Sequence, residues 1–306
     1  MLAEAVNLSN VFVPKNELVV STKGKVKDWD RSFKTLNAPV DEEVPLVVLI
    51  NKNSASASEI VSGVIQDLDR GVLIGQRSYG KGLVQNTKDI GYNAKVKMTT
   101  AKYYIPSGRC IQAVEYDEGE PVGIADDKRT PFKTRNGRTV LDGGGVKPDI
   151  VLDPDADSEI LSILDEKNIV FNYVTEWILK NPEVTDAATF HFNDWDGFVK
   201  FLEATNFSYD TESEDLLEKL KETAIKNNYL SSSDIAALDN KIIAAKKAEL
   251  VRHKDLVVSM IEKEIVSRYL YEKGRVQIGL RNDKEIKEAL ELFNDPARYN
   301  KILKRK

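Results

Sequence analysis

Val44-Pro45-Leu46-Val47-Val48-Leu49-Ile50, continued by Asn51-Lys52-Asn53-Ser54-Ala55-Ser56-Ala57-Ser58-Glu59-Ile60, decides how this chain reads. Its first half is a nearly continuous apolar run, the pattern of a strand buried on both faces of a parallel sheet. Its second half alternates serine and alanine, residues small enough for a tight turn. Beyond it Ile60, Val61, Val64, Ile65 and Leu68 recur at helical spacing and mark one apolar face. Gly71-Val72-Leu73-Ile74-Gly75 adds a second short buried strand, so residues 45–75 are expected to form one βαβ unit.

Working outward, residues 3–10 read as helix and residues 17–22 as strand. Lys23-Gly24 reads as a turn into the alternating strand Lys25-Val26-Lys27-Asp28-Trp29. Another strand is expected over residues 96–105, stopped by Pro106-Ser107-Gly108, and residues 116–145 read as turn-rich loops. Asp153-Pro154-Asp155-Ala156-Asp157 marks the expected junction between an α/β part, residues 1–153, and a helical part, residues 158–306. In the helical part Thr211 and Glu214 form a capping-box start before Leu216. Between Ser231 and Lys273 neither Gly nor Pro occurs, which permits a very long helix or a helical hairpin. Ile235, Leu238, Ile242, Leu256 and Met260 are its expected packed face. The basic tail Lys301-Ile302-Leu303-Lys304-Arg305-Lys306 reads as a solvated end.

Composition narrows the function classes. At 306 residues, 42% hydrophobic and 30% charged, the chain can bury a substantial core in two domains. A formal charge of −5 argues against nucleic acid as the main partner. The single Cys110 excludes internal disulfides and a cysteine-based metal site. No run approaches the roughly 20 apolar residues of a membrane span. Met1-Leu2-Ala3-Glu4-Ala5-Val6-Asn7 lacks the basic start of a signal peptide and reads as mid-helix, which suggests a truncated chain.

Ser56 and Lys81 are the candidate chemistry. Ser54, Ser56 and Ser58 precede a helix, where serine is a common cap. Three serines alternating with alanine also permit a substrate carbonyl to press against the turn, near free helix N–H groups suited to an oxyanion. Lys81 lies in Gly80-Lys81-Gly82. Gly75-Gln76-Arg77-Ser78-Tyr79-Gly80-Lys81 matches the first seven positions of a phosphate-binding loop, but Gly82 replaces the hydroxyl that magnesium needs. No nucleotide, metal or other cofactor is therefore expected. The flanking glycines suggest instead a backbone packed closely around an inward lysine, where desolvation favours the uncharged amine. A neutral Lys81 could take the Ser56 proton during attack and return it to the leaving amine. Gln85 could align the lysine nitrogen. Asp67, three turns down the same helix, is expected to pair within the fold, with a supporting role the lesser reading. The two histidines, His191 and His253, lie far downstream, so a Ser–His–Asp triad has little support.

These segments, with Asp67-Leu68-Asp69-Arg70-Gly71, Gly80-Lys81-Gly82-Leu83-Val84-Gln85, Thr99-Thr100-Ala101-Lys102-Tyr103-Tyr104-Ile105-Pro106-Ser107-Gly108-Arg109 and Gly144-Gly145-Val146-Lys147-Pro148-Asp149-Ile150, resemble the carboxy-terminal processing, or tail-specific, proteases of the S41 serine peptidase family. The resemblance implies a crotonase-like core of stacked βαβ units in residues 1–153. It also implies Ser56 as nucleophile, Lys81 as general base, Gln85 as third member and the Ala57 backbone N–H as an oxyanion donor. Substrate proteins would be cleaved near apolar C-terminal ends and bound as an added strand. Members usually act outside the cytoplasm, in the periplasm or cell envelope, and an oligomer is possible. They usually carry an upstream PDZ domain and a glycine-rich oxyanion segment that this chain starts beyond, which implies weak activity. The alternatives are a non-catalytic ligand- or partner-binding module on the same fold and a scaffold whose helical half docks a partner.

Overall fold

A computed structural model describes residues 2–305 apart from 118, 119, 124, 155–157, 206, 228 and 230. Asp155, Ala156 and Asp157 of the expected junction lie outside the described residues. The chain divides into two compact units, Met1–Pro154 with Lys284–Lys306, and Asp155–Asp283. The α/β part and the helical part read from the sequence are both present.

The first unit opens on α1 (Leu2–Phe12), β1 (Leu18–Gly24) and β2 (Arg31–Lys34), the two strands antiparallel. The expected strand at residues 25–29 is not formed. Instead β1 runs on to Gly24, and Lys27–Trp29 make one 3₁₀ turn. Asp30 explains the difference: its Oδ1 accepts the Gly24 N–H at 2.9 Å, which closes a longer connection. Next come β3 (Val47–Ile50), α2 (Ala57–Asp67) and β4 (Val72–Gly75). β3 and β4 pair in parallel from Val47 opposite Val72 to Ile50 opposite Gly75, the βαβ unit that the apolar pattern predicts.

β5 (Leu83–Gly91) and β6 (Ala94–Tyr104) form an antiparallel hairpin. Tyr92 and Asn93 at its tip both have positive φ, 52° and 56°, as the mirror-image turn of a tight hairpin demands. The turn-rich stretch holds two small ribbons, β7 (Val114–Asp117) with β8 (Glu120–Gly123), and β9 (Pro131–Lys133) with β10 (Thr139–Leu141). β11 (Ile150–Val151) pairs in parallel with β4. One sheet thus runs β2-β1-β6-β5 and another β11-β4-β3, with β2 and β5 the edges of the first and β11 and β3 those of the second. Between them α2 buries Ile60, Val64 and Ile65 against Ala5, Val19, Val20, Leu73 and Ile105. Each such side chain contributes about 1.5–3 kcal/mol.

The second unit consists of α3 (Glu159–Glu166), α4 (Ile169–Lys180), α5 (Trp195–Ala204), α6 (Glu212–Lys226), α7 (Ser232–Arg252) and α8 (Lys254–Leu280). Tyr173 sits at its centre, edge-on to Phe192, Phe198 and Phe201. The Thr211 N–H donates to Glu214 at 2.7 Å and the Glu214 N–H back to the Thr211 hydroxyl at 3.2 Å, so the capping box forms. The stretch without Gly or Pro is two helices that meet at His253. The fully buried stripe of α8 is Val257, Ile261 and Ile265, one position on from the expected Leu256 and Met260.

Two last helices, α9 (Lys284–Phe293) and α10 (Pro296–Ile302), return to the first unit. The expected helical part thus loses its C-terminal end to the core. Leu292, Tyr299 and Leu303 bury Val72 and Ile74 of β4, and the Tyr299 hydroxyl donates to the Leu46 carbonyl at 3.0 Å. The basic tail is therefore not a solvated end. Leu303 is fully buried, and Arg305 donates to the carbonyls of Asp69 and Arg70.

Candidate active site

Ser56 caps α2 with φ 56° and ψ −111°, a conformation a residue with a Cβ adopts only under local strain of about 1–3 kcal/mol. The turn before it is fixed by its own polar groups. Asn51 N–H donates to Ser54 Oγ at 3.1 Å, and Ser54 N–H to the Asn51 carbonyl at 2.9 Å. Ser54 is thus occupied in holding the turn. The Ser58, Glu59 and Ile60 amides bond back to Ala55 and Ser56 carbonyls. Among the described residues the Ala57 N–H has no acceptor, so it stands free beside Ser56 at the start of the helix.

Lys81 follows β4 on a loop laid across Gln112 and Ala113. A Cβ on Gly80 would stand 2.3 Å from the Ala113 Cβ, and one on Gly82 would stand 2.6 Å from the Gln112 nitrogen. Gly80 also has φ 88°. The glycines therefore serve backbone-to-backbone packing and not an inward lysine. The Lys81 side chain is exposed, which corrects the expected burial. Gln85 follows a bulge in β5 and is likewise exposed. Lys81 and Gln85 line one cavity of about 580 Å³ with Ala55, Leu83 and Gln112. A second groove of about 450 Å³ is lined by Leu8, Val48, Leu49, Ile50, Ala57 and Val61. Ala55 borders the first hollow and Ala57 the second, so Ser56 stands on the chain between them.

Glu59, which the sequence reading passes over, ties these parts together. It is fully buried. Its Oε1 accepts the Ser78 hydroxyl at 2.5 Å and the Gly80 N–H at 2.6 Å. Its Oε2 accepts the Ser56 N–H at 2.9 Å and the Lys81 N–H at 2.8 Å. One oxygen atom thus holds the backbones of both candidate residues. Ser78 Oγ in turn accepts the Val146 N–H at 2.7 Å, which joins the Gly144-Gly145-Val146 segment to the same point. The signal available in the sequence was the Ser56-x-x-Glu59 capping-box spacing.

Asp67 is at the other end of α2 and is not brought to this site. Its Oδ1 takes Arg109 Nη2 at 2.8 Å and its Oδ2 the Ser107 N–H at 2.9 Å. Burial pushes the Asp67 carboxyl up, against the pull of the Arg109 guanidinium and Ser107. Burial likewise lowers Arg109 against its carboxylate. Gln66, Asp69, Arg138 and Asp149 continue the network, with Arg138 bound to both Asp69 and Asp149 at 2.5 Å. No group of His, Cys, Asp and Glu suited to a metal occurs among the described residues.

Residues 1–127 match the model of peptidase family S41, and residues 160–293 the model of the C-terminal helical domain of probable PDZ-proteases. A carboxy-terminal-processing protease of Bartonella bacilliformis is 42% identical over 114 residues, covering 37% of this chain and 26% of that protein. A chloroplastic C-terminal processing peptidase of Tetradesmus obliquus is 34% identical over 110 residues, covering 36% and 23%. Among solved structures, a photosystem II D1 C-terminal processing protease aligns with TM-score 0.38 and 28% identity over 51% of this chain and 32% of that one. The chain spans about a quarter of the length of the curated relatives it matches. On these matches residues 1–127 are similar to peptidase family S41, and the relatives they resemble are named carboxy-terminal-processing proteases.

Proposed function

We propose that this chain carries the catalytic part of a serine-type endopeptidase that cleaves proteins near apolar C-terminal ends. The observation that carries the reading is Ser56 at φ 56° on the first turn of α2, its backbone held on the same carboxylate oxygen as that of Lys81. Strain at one serine of a well-packed turn is a mark of a site that uses it.

Ser56 Oγ attacks the substrate carbonyl, and Lys81 takes the hydroxyl proton and returns it to the leaving amine. The free Ala57 N–H receives the oxyanion, helped by the positive end of α2. Gln85, sharing the Lys81 cavity, holds the amine in line. Lys81 is exposed in the free chain, so bound substrate would cover it. The open edges of β3 and β5 suit an extended peptide paired by main-chain bonds. The apolar groove beside Ala57 receives the substrate's apolar side chains. No described helix is long and apolar enough to cross a membrane, and by its likeness to processing proteases we place the protein outside the cytoplasm.

A serine-directed fluorophosphonate, with peptide mapping of the adduct, tests the assignment. The label is expected on Ser56, absent in Ser56→Ala and slowed at least about 10²-fold in Lys81→Ala. A label on another residue, or unchanged labelling of Lys81→Ala, overturns it.

A further inference from the structure

Building on the Ser56–Lys81 reading, we infer that Glu59 is the positioning residue that sets the nucleophile and the base in register. A capping-box glutamate normally reaches back to one N–H at the surface of a helix start. That role accounts for only one of the four contacts here. The other three reach Ser78, Gly80 and Lys81, on a loop that follows a different strand. A carboxylate offers about four acceptor positions, and Glu59 fills them with three backbone N–H groups and one hydroxyl. Burying it so completely is tolerated because every position is met.

The geometry makes the link short. The Ser56 and Lys81 nitrogens both lie within 2.9 Å of Oε2, so a shift of that carboxylate disturbs both backbones at once. Gly80 and Ser78 on Oε1 fix the approach to Lys81, and Ser78 passes the constraint to Val146. A Cβ on Gly145 would stand 2.7 Å from the Ser78 Oγ, so that segment also depends on the same hydroxyl. Glu59 touches no reacting atom in this scheme. It acts by holding the strained Ser56 conformation and by placing the start of the Lys81 side chain.

Glu59→Gln tests this, because the amide keeps the size while turning two donors toward a site filled with donors. Wild type, Glu59→Gln, Ser78→Ala, Ser56→Ala and Lys81→Ala are compared for probe labelling, peptide cleavage and amide hydrogen exchange. In Glu59→Gln, maximal labelling and kcat are expected to fall about 10²-fold with KM within about twofold, as a small misplacement of reacting groups produces. Exchange of the Gly80 and Lys81 amides is expected to quicken in the folded protein. Ser78→Ala, which removes one of four donors, keeps the fold and gives a smaller loss in the same order. Unchanged kcat in Glu59→Gln, or a rise in KM alone, overturns the inference. If Glu59→Gln does not fold, unaltered Lys81 exchange and kcat in Ser78→Ala overturn it. Unchanged labelling in Lys81→Ala would defeat the Ser–Lys reading instead, while the exchange measurement still decides whether Glu59 joins the two loops.

Discussion

The two ends of α2 hold buried carboxylates in opposite ways. At the N-terminal end Glu59 is met by backbone N–H groups and a hydroxyl, while at the C-terminal end Asp67 and, just beyond it, Asp69 face the guanidinium groups of Arg109 and Arg138. Neutral donors tie a carboxylate to the positions of particular backbone atoms. Guanidinium partners neutralise it and weld neighbouring segments. The difference suggests that one end of the helix places reacting groups and the other secures the fold.

The sharpest way to break this division is Asp67→Ala. Leaving Arg109 buried without its carboxylate should cost about 3–5 kcal/mol, read as a lower denaturant midpoint. Ser56 labelling per folded molecule should stay within about twofold of wild type. A large loss of labelling with unchanged stability would place Asp67 in the chemistry and erase the contrast. A milder change sharpens the same point. Asp67→Leu with Arg109→Met removes both charges, and such replacements range from neutral to stabilising. The double variant should recover to within about 1 kcal/mol of wild type, where a deficit equal to Asp67→Ala would show that charge pairing is not what the network provides.

The helical unit supplies the smallest effect and a third arrangement, a hydroxyl facing a carboxylate. Burial first, and then Asp194, push the Tyr173 hydroxyl above the ordinary tyrosine range, and burial with Glu249 does the same for Tyr209. Folded protein then holds these protons more tightly than unfolded chain. Their contribution is full below about pH 10 and is lost as pH rises through the folded values. The denaturant midpoint of this unit should fall on passing from about pH 9 to about pH 11, and Tyr173→Phe with Tyr209→Phe should flatten that slope. An unchanged slope would refute the assignment.

Much of the first unit was readable because burial leaves a simple trace. The run Val47-Val48-Leu49-Ile50 and the helical spacing of Ile60, Val64 and Ile65 could hardly fold otherwise. Residues 25–29 misled because alternation there competes with an Asp30 side-chain bond that no periodicity reveals. The glycines around Lys81 suggest room for a buried amine, but they make room for Gln112 and Ala113, a contact visible only in three dimensions. Glu59 escaped notice for a similar reason. One of its bonds is local and follows a known spacing, but the three that matter reach a distant loop. The tail reads as solvated because Ile302 and Leu303 are only two apolar residues among lysines and an arginine, and only β4 supplies the reason for burying Leu303.

Because α9 and α10 come back to β4, the helical unit is an insertion, entered after Pro154 and left at Lys284. The Lys284 amine reaches the Asp153 carbonyl, so the two crossing points are neighbours. A stop codon ahead of Lys284 would therefore strip the cover from Val72 and Ile74 and leave a sticky sheet, not a tidy minimal enzyme. Excising the insert and splicing its two borders through a few glycines is the economical route to a free-standing core.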